Sequence, residues 1–337
     1  MRILVTGGAG YVGSVSVEDL VDSGNDVVVL DNLSTGHRAA DLAGAELVEG
    51  TYANRAFVAT LLRDRKVDAV LHCGARSLVG ESIRDPAPYF RENLGGGVAL
   101  LEAMRDAGVA RLVISSTAAV YGVPDTSPID EDAPLRPINP YGETKRGLEA
   151  AAAWFARAYG LRVTSLRYFN VAGATARNGE HHEPETHLIP NALVAAAGGP
   201  ALTLFGTDYP TPDGTPIRDY VHVADLAEAH RLALEATAPD DSRTDGPLIC
   251  NLGGGRGFSV REVLAAAEDV LGRAVPHTLG ERREGDPPIL VAAIDRAREI
   301  LRWAPRRSSL EEMIGSAWAW RARLGEGGER GQRSSRG

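Results

Sequence analysis

Short apolar runs alternate with amphipathic stretches over the first half of the chain, and the alternation weakens near residue 171. Arg2-Ile-Leu-Val-Thr6 reads as a buried strand, and residues 14–23 then carry apolar positions at helical spacing. Val27-Val-Val-Leu30 is a second buried run, and further strand patterns fall at 45–48, 68–72, 111–115 and 162–166. Helical patterns lie between them at about 53–65, 88–106 and 141–159. Strands alternating with helices imply right-handed crossovers and a parallel sheet covered on both faces. The expected fold class is therefore α/β, a Rossmann-type doubly wound parallel sheet. Ligands of such sheets bind at the carboxyl ends of the strands, which here are Asp31, residues 72–76, residues 115–117 and residues 168–170.

Beyond residue 171 come loops rich in Gly and Pro (206–215, 253–257, 280–288), with helical patterns near 188–197, 225–236, 259–271 and 308–322. They suggest a smaller C-terminal α/β lobe over 171–325, laid across the open end of the sheet domain at 1–170. The chain is expected to return to the first domain around 219–236. Residues 326–337 are polar and rich in Gly, Arg and Ser, the composition of a disordered tail.

The turn after the first strand, Gly7-Gly-Ala-Gly10-Tyr-Val-Gly13, changes this picture from a fold to a ligand. Glycines at that point let the backbone approach a pyrophosphate, which then sits at a helix N-terminus. The second strand ends on Asp31, placed for a carboxylate to take both hydroxyls of an adenosine ribose and repel a 2′-phosphate. NAD is favoured over NADP.

Composition narrows the rest. Of 337 residues 44% are hydrophobic and 24% charged, ordinary for a soluble globular chain large enough for two lobes. The formal charge of −9 argues against nucleic acid as a partner, since a phosphate-tracking surface needs a basic stripe. No stretch approaches the ~18–20 apolar residues of a membrane span, so no membrane is expected, and no signal-peptide pattern opens the chain. Two cysteines, Cys73 and Cys250, lie far apart without metal-ligand spacing, which suits a reducing cytoplasm and gives no metal site.

Asn139-Pro-Tyr141-Gly-Glu-Thr-Lys145 opens a helix, with Asn139 as N-cap and Pro140 as first residue. Tyr141 and Lys145 then share a helix face. An ammonium beside a phenol favours the phenolate, as does a cationic nicotinamide, so Tyr141 is expected to have a lowered pKa and to serve as a general base. The strand end Leu112-Val-Ile-Ser-Ser-Thr117 supplies hydroxyls to bridge substrate and Tyr141; Thr117 is the first choice, with Ser115 and Ser116 left to backbone and cofactor contacts.

At these residues the chain resembles the extended short-chain dehydrogenase/reductase family and, within it, the UDP-glucose 4-epimerase group. The matching segments are Thr6-Gly-Gly-Ala-Gly-Tyr-Val-Gly13, Asp31-Asn-Leu-Ser-Thr-Gly36, Val79-Gly-Glu-Ser82, Ser115-Ser-Thr117 and Tyr141-Gly-Glu-Thr-Lys145. They continue through Leu166-Arg-Tyr-Phe-Asn170, Phe205-Gly-Thr-Asp-Tyr-Pro-Thr-Pro-Asp-Gly-Thr215, Arg218-Asp-Tyr-Val-His222, Asn251-Leu-Gly-Gly254 and Arg282-Arg-Glu-Gly-Asp286. The glycine turn and the Tyr–Lys spacing mark only the superfamily. The segments at 31–36, 205–215 and 282–286 are more specific to the epimerases.

The resemblance implies NAD held by Gly7, Gly10, Tyr11, Val12, Gly13, Asp31, Asn32, Ser34, Thr35, Gly36, Asn93, Ser115, Tyr141, Lys145, Tyr168 and Phe169. It implies a UDP-sugar held by Thr117, Tyr141, Asn170, His187, Leu188, Phe205, Arg218, Arg283, Asp286 and Leu290, with catalysis by Thr117, Tyr141 and Lys145. It also implies a homodimer built on the helices near 88–106 and 141–159. Read from residue type alone, Arg218 with Asp219 and Arg283 with Asp286 could equally be surface ion pairs. Three departures stand out: Thr51 where the family commonly has an aspartate for adenine, Ser77 where it often has a lysine (with Arg76 adjacent), and Gly95-Gly-Gly97 inside a predicted helix. Related dehydratases and decarboxylases place acidic residues just after the strand-end hydroxyls; here Ala118 and Ala119 follow. An NAD-binding protein without catalysis is the non-enzymatic alternative, and the presence of Thr117, Tyr141 and Lys145 weighs against it.

Overall fold

The structure, a computed structural model, describes residues 1–238, 246–283 and 286–334. In chain order it runs β1 (Arg2–Thr6), α1 (Tyr11–Asp22), β2 (Asp26–Asp31), β3 (Glu46–Glu49), α2 (Arg55–Asp64), β4 (Ala69–His72), α3 (Val79–Arg84) and α4 (Ala87–Tyr89). A π-helical segment (Phe90–Gly96) leads into α5 (Gly97–Ala107), followed by β5 (Arg111–Thr117), α6 (Pro140–Tyr159), β6 (Arg162–Tyr168), β7 (Asn170–Ala172), α7 (Leu188–Ala196), β8 (Leu202–Phe205), β9 (Ile217–His222) and α8 (Val223–Ala236). The chain ends with β10 (Leu248–Leu252), β11 (Gly257–Ser259), α9 (Val260–Leu271), β12 (His277–Gly280), β13 (Ile289–Leu290) and α10 (Leu310–Ser334).

Seven parallel strands form the main sheet in the order β10-β6-β5-β4-β1-β2-β3. Alternation along β1 decides which side chains go where: Ile3 and Val5 join the core on the α1–α8 side, and Leu4 joins the core with residues of α2, α5 and α6. The order reverses between β1 and β4, so the carboxyl ends of these strands frame a crevice. A second, smaller core gathers Ile189, Leu193, Tyr220, Leu264 and Met313 beneath a small sheet of β7, β9, β11 and β13. Strands β8 and β12 pair separately.

The structure corrects the expected layout in two places. The return to the large sheet is more extensive than 219–236: β10 pairs in parallel with β6, so residues assigned to the substrate lobe complete the main sheet. The helix expected at 88–106 is not one continuous α-helix, because the turn around Gly95-Gly-Gly97 widens into the π segment. Close packing explains the glycines: a Cβ on Gly96 would meet the Tyr52 ring at 2.8 Å, and one on Gly97 would meet Leu148 at 2.6 Å. Helix α10 carries helical backbone through Ser334. Residues 335–337 lie outside the described residues.

Candidate active site

The crevice widens into a cleft of about 1490 Å³ between the main sheet and the smaller lobe. At its floor the glycine turn is fixed by sterics. Gly7 has φ +70°, and a Cβ there would lie 2.5 Å from the Gly74 nitrogen; a Cβ on Gly13 would lie 2.0 Å from the Gly7 carbonyl oxygen. Helix α1 starts behind Gly10, which supplies no side-chain cap, so the first N–H groups of the helix are left to whatever enters the cleft. Tyr11 and Val12 line the cleft, and the Tyr11 hydroxyl donates to the Gly173 carbonyl at 2.6 Å, fastening the turn to the smaller lobe. Asp31 accepts from Ala9 N (3.0 Å) and Leu33 N (2.8 Å), so the carboxylate also binds the glycine turn to the next loop. Asn32, Ser34, Thr35 and Gly36 of that loop line the cleft beside it.

One of the expected cofactor positions lies off the cleft wall. Asn93 is buried and does not line the cleft; its side chain accepts from Arg76 N (2.8 Å) and donates to Arg76 O (3.0 Å), so it shapes the neighbouring loop. Thr51 is exposed and caps a turn through Ala53 N, while the next residue, Tyr52, turns its ring into the cleft wall over Gly74 and Gly96, edge-on to His72. Ser77 and Arg76 both line the cleft, with the Arg76 guanidinium paired to Glu92 and Glu81.

The acid–base group lies where β5 meets α6. Strand alternation sends Ser115 and Thr117 to the cleft and Ser116 to the opposite side, where its hydroxyl donates to Glu149 at 2.5 Å. Ser116 is thus structural. Asn139 caps α6 by accepting from Gly142 N at 2.8 Å, which aims Tyr141 toward the strand end beside Thr117. Lys145, one turn on, donates to the Ser115 carbonyl at 2.7 Å. The expected depression of the phenol does not arise from the protein's own groups. Burial pushes Tyr141 up to about 12, and the hydrogen bond to Thr117 offsets only part of that. Burial also pulls Lys145 down to about 8, against the opposing pull of Cys73 and Glu149. Tyr168 and Phe169, at the end of β6, close this side of the cleft, with the Tyr168 hydroxyl 3.1 Å from His230 Nε2.

At the far end the cleft is lined by Asn170, His187, Leu188, Phe205, Arg218, Arg283, Asp286 and Leu290. Parallel register sets Leu290 opposite Arg218, and Asn170 opposite Tyr220. The ion pairs are not those that residue type alone suggested. Arg218 pairs with Asp286 at 2.5 Å, whereas Asp219 is fully buried and accepts from the backbone of Gly254, Gly255 and Ala292. The Arg283 guanidinium lies 4.3 Å from the centre of the Phe205 ring. Two arginines, one carboxylate and an amide on one wall offer forked donors to a pyrophosphate and partners to a base or ribose.

The sequence reading missed Tyr52, whose neighbour Thr51 drew the attention, and Glu149, which sits eight residues after Tyr141 on the same helix face. It also passed over Glu180 and His182, which line the cleft close to His187.

Residues 3–253 match the NAD dependent epimerase/dehydratase family, and the chain belongs to that family. It is 49% identical over 323 residues to the UDP-glucose 4-epimerase of Lactobacillus helveticus, covering 95% of this chain and 97% of that one. A crystal structure of UDP-glucose 4-epimerase from Brucella ovis in complex with NAD superimposes with a TM-score of 0.90 at 45% identity, over 94% of this chain and 97% of that one. A UDP-glucose-4-epimerase from Stenotrophomonas maltophila, with bound NAD and formylated UDP-arabinopyranose, gives 0.92 at 39% identity, over 97% and 99%.

Proposed function

We propose that this chain interconverts UDP-galactose and UDP-glucose by inverting the configuration at C4, with NAD held across the glycine turn and the crevice. The observation that carries this reading is the junction of β5 and α6. Thr117, Tyr141 and Lys145 line the cleft there, with the glycine turn on one side and Arg218 and Arg283 on the other. The glycine turn fits the cofactor: Cβ atoms are sterically excluded at Gly7 and Gly13, and the α1 N-terminus is left uncapped. Gly7, Gly10, Tyr11, Val12 and Gly13 would hold the pyrophosphate, with Asp31 and residues 32–36 at the adenosine end. Ser115, Tyr168 and Phe169 would hold the nicotinamide end. When bound, NAD supplies a reversible acceptor for the hydrogen on C4 and a positive charge near Tyr141.

Tyr141, as phenolate, takes the proton of the 4-hydroxyl, and Thr117 holds that hydroxyl in line. Lys145 keeps a charge beside the phenol. Asn170, Arg218, Arg283 and Asp286 grip the UDP part, so the 4-keto sugar can present its other face for the return of hydrogen to C4 without leaving, and Tyr141 returns the proton to the C4 oxygen. Elimination or decarboxylation needs a further acid–base group beside the strand end, and the positions following Thr117 are Ala118 and Ala119.

The test is NMR-monitored incubation of the purified protein with UDP-galactose and no added cofactor. Formation of UDP-glucose supports the reading; no conversion with or without added NAD overturns it. The likeness to a protein with bound formylated UDP-arabinopyranose favours a second reading, 4-epimerisation of another UDP-sugar. Leu290 is the residue to watch, since it is of intermediate size on the sugar side of the cleft. UDP-GlcNAc, a pentose and a uronic acid belong in the same assay. Gly13→Ala is expected to abolish copurification of nucleotide, because its Cβ would press the Gly7 carbonyl out of place. The ratio of absorbance at 260 and 280 nm of the purified variant checks it.

Two buried or partly buried free cysteines support a cytoplasmic enzyme, and among the described residues no helix is long and apolar enough to cross a membrane. A homodimer through α5 and α6 is supported by Trp154 and Tyr159, exposed at 66% and 51% on α6. Light scattering is expected to give twice the 35.7 kDa chain mass, and Trp154→Glu to halve it.

A further inference from the structure

Between β7 and α7 the chain reads Glu180-His-His-Glu-Pro-Glu-Thr-His187, and the fold closes this segment on itself. Glu180 Oε1 lies 2.5 Å from His182 Nδ1 and 3.0 Å from His187 Nδ1, and Glu185 Oε1 lies 2.8 Å from His187 Nδ1. One donor atom from each of these four side chains falls in a group whose members all lie within 4.8 Å of one another. The Glu180 and Glu185 side chains are 9% and 16% exposed, while that of His187 is 44% exposed and leaves a way in.

We propose that Glu180, His182, Glu185 and His187 form a binding site for a divalent transition-metal ion, with Zn²⁺ the best fit, that clips the segment between β7 and α7. The donor set is the first reason. Two imidazole nitrogens with two carboxylates suit Zn²⁺ and its first-row neighbours; Mg²⁺ and Ca²⁺ take oxygen shells, and Cu⁺ takes sulfur. Size is the second. Tetrahedral Zn²⁺ with bonds of about 2.0–2.2 Å sets its ligand atoms about 3.3–3.6 Å apart. The spread of 2.5 to 4.8 Å in this cluster brackets that edge.

Charge is the third reason. With neutral rings the cluster carries two negative charges, which one divalent ion cancels. Without it, a single Glu180 oxygen faces two imidazoles and protons must do that work. The segment is also held from outside the cluster. Trp320 Nε1 donates to the Glu180 carbonyl at 3.2 Å, and the His181 ring stacks on His37 at 4.4 Å, next to the loop that follows Asp31. Because His187 caps α7 and Leu188 begins it, an ion here would stiffen one wall of the cleft without touching Tyr141.

The experiment uses the full chain, stripped with a chelator and titrated with Zn²⁺ in a calorimeter at neutral pH, with metal content checked by mass spectrometry. Uptake of about one ion per chain at sub-micromolar free Zn²⁺ is expected, with proton release because ligating imidazoles must be neutral. The Co²⁺-substituted protein is expected to show the visible bands of a tetrahedral site. Glu180→Gln combined with His182→Asn should weaken uptake at least about 100-fold and remove the Co²⁺ bands. Should the double variant fail to fold, His182→Asn alone is read in the same way. Wild-type protein that takes up no stoichiometric ion overturns the proposal, as does uptake unchanged in a folded variant. Neither readout depends on catalysis, so failure of the epimerase reading leaves this test intact.

Discussion

Tyr141→Phe is expected to lower turnover of UDP-galactose by about 10²–10⁴-fold, the range for loss of one positioned acid–base group, with little change in affinity for UDP. Phenylalanine keeps the half-buried ring, which packs edge-on to Tyr89 with centroids 6.5 Å apart, so the helix and strand around it have no reason to move. What disappears is the hydroxyl that faces the cleft beside Thr117. A proton transfer made only in the transition state is lost from kcat and from kcat/KM alike, whereas a binding contact would appear in KM. The pH profile separates the two further. In the protein alone the phenol sits near 12 and the ammonium near 8, so at neutral pH the lysine is charged and the phenol protonated. A general base must be deprotonated to act, and its rate falls as pH drops through its pKa. The wild-type rate is therefore expected to rise with pH on its acid limb, and the residual rate of Tyr141→Phe to lose that limb. Turnover of the variant within a few-fold of wild type would remove Tyr141 from the mechanism and leave the proton to Thr117.

What was legible in the chain and what was not divides by sequence distance. The glycine turn, Asp31 and the Tyr141–Lys145 pair are local patterns, each set by a period of two or 3.6 residues or by the sterics of a turn. They fall together because a parallel sheet collects its strand ends at one edge. The strand β10 was not legible as part of the main sheet, since its partner β6 ends 80 residues earlier and nothing in a five-residue apolar run names its neighbour. The pairing of Arg218 with Asp286 rather than with adjacent Asp219 is likewise a tertiary fact. Strand alternation in β9 puts neighbours on opposite faces, and only the fold shows which residues wait there. The phenol's pKa failed for a different reason. Helix spacing places Lys145 beside Tyr141 but says nothing of burial, and burial outweighs the hydrogen bond to Thr117. Gly96 and Gly97 read as a defect in a helix until the Tyr52 and Leu148 side chains showed what occupies the missing Cβ positions.

The largest expected effect on stability lies behind the active site. Glu149 continues the face that carries Tyr141 and Lys145, each four residues apart, and it reaches into a buried network. Its carboxylate accepts from Arg167 Nε at 3.0 Å, from Arg167 Nη2 at 2.6 Å and from Ser116 Oγ at 2.5 Å. Arg167, 1% exposed, also donates to the Tyr121 hydroxyl (2.9 Å) and the Glu131 carbonyl (3.2 Å), and its guanidinium lies 5.1 Å from the centre of the Tyr121 ring. Tyr121 in turn donates to Asn251 on β10 at 2.7 Å, so one network joins β5, α6, β6 and β10. Glu149→Leu would strand the guanidinium in the core without its counter-charge, a loss expected to cost about 3–5 kcal/mol. The midpoint of urea unfolding, with the slope of the transition unchanged, measures it. The double variant Glu149→Leu/Arg167→Met removes both charges and should recover much of that loss, because the penalty belongs to the unpaired ion and not to the missing bond. Activity is expected to part company with stability in the double variant. Its α6 still packs, but Glu149 no longer supports the charge on Lys145, so turnover should remain below wild type while the unfolding midpoint returns toward it. A single Glu149→Leu chain that unfolds at the wild-type midpoint would mean that water reaches Arg167, and the network would then be a surface feature folded inward rather than the strut beneath Tyr141.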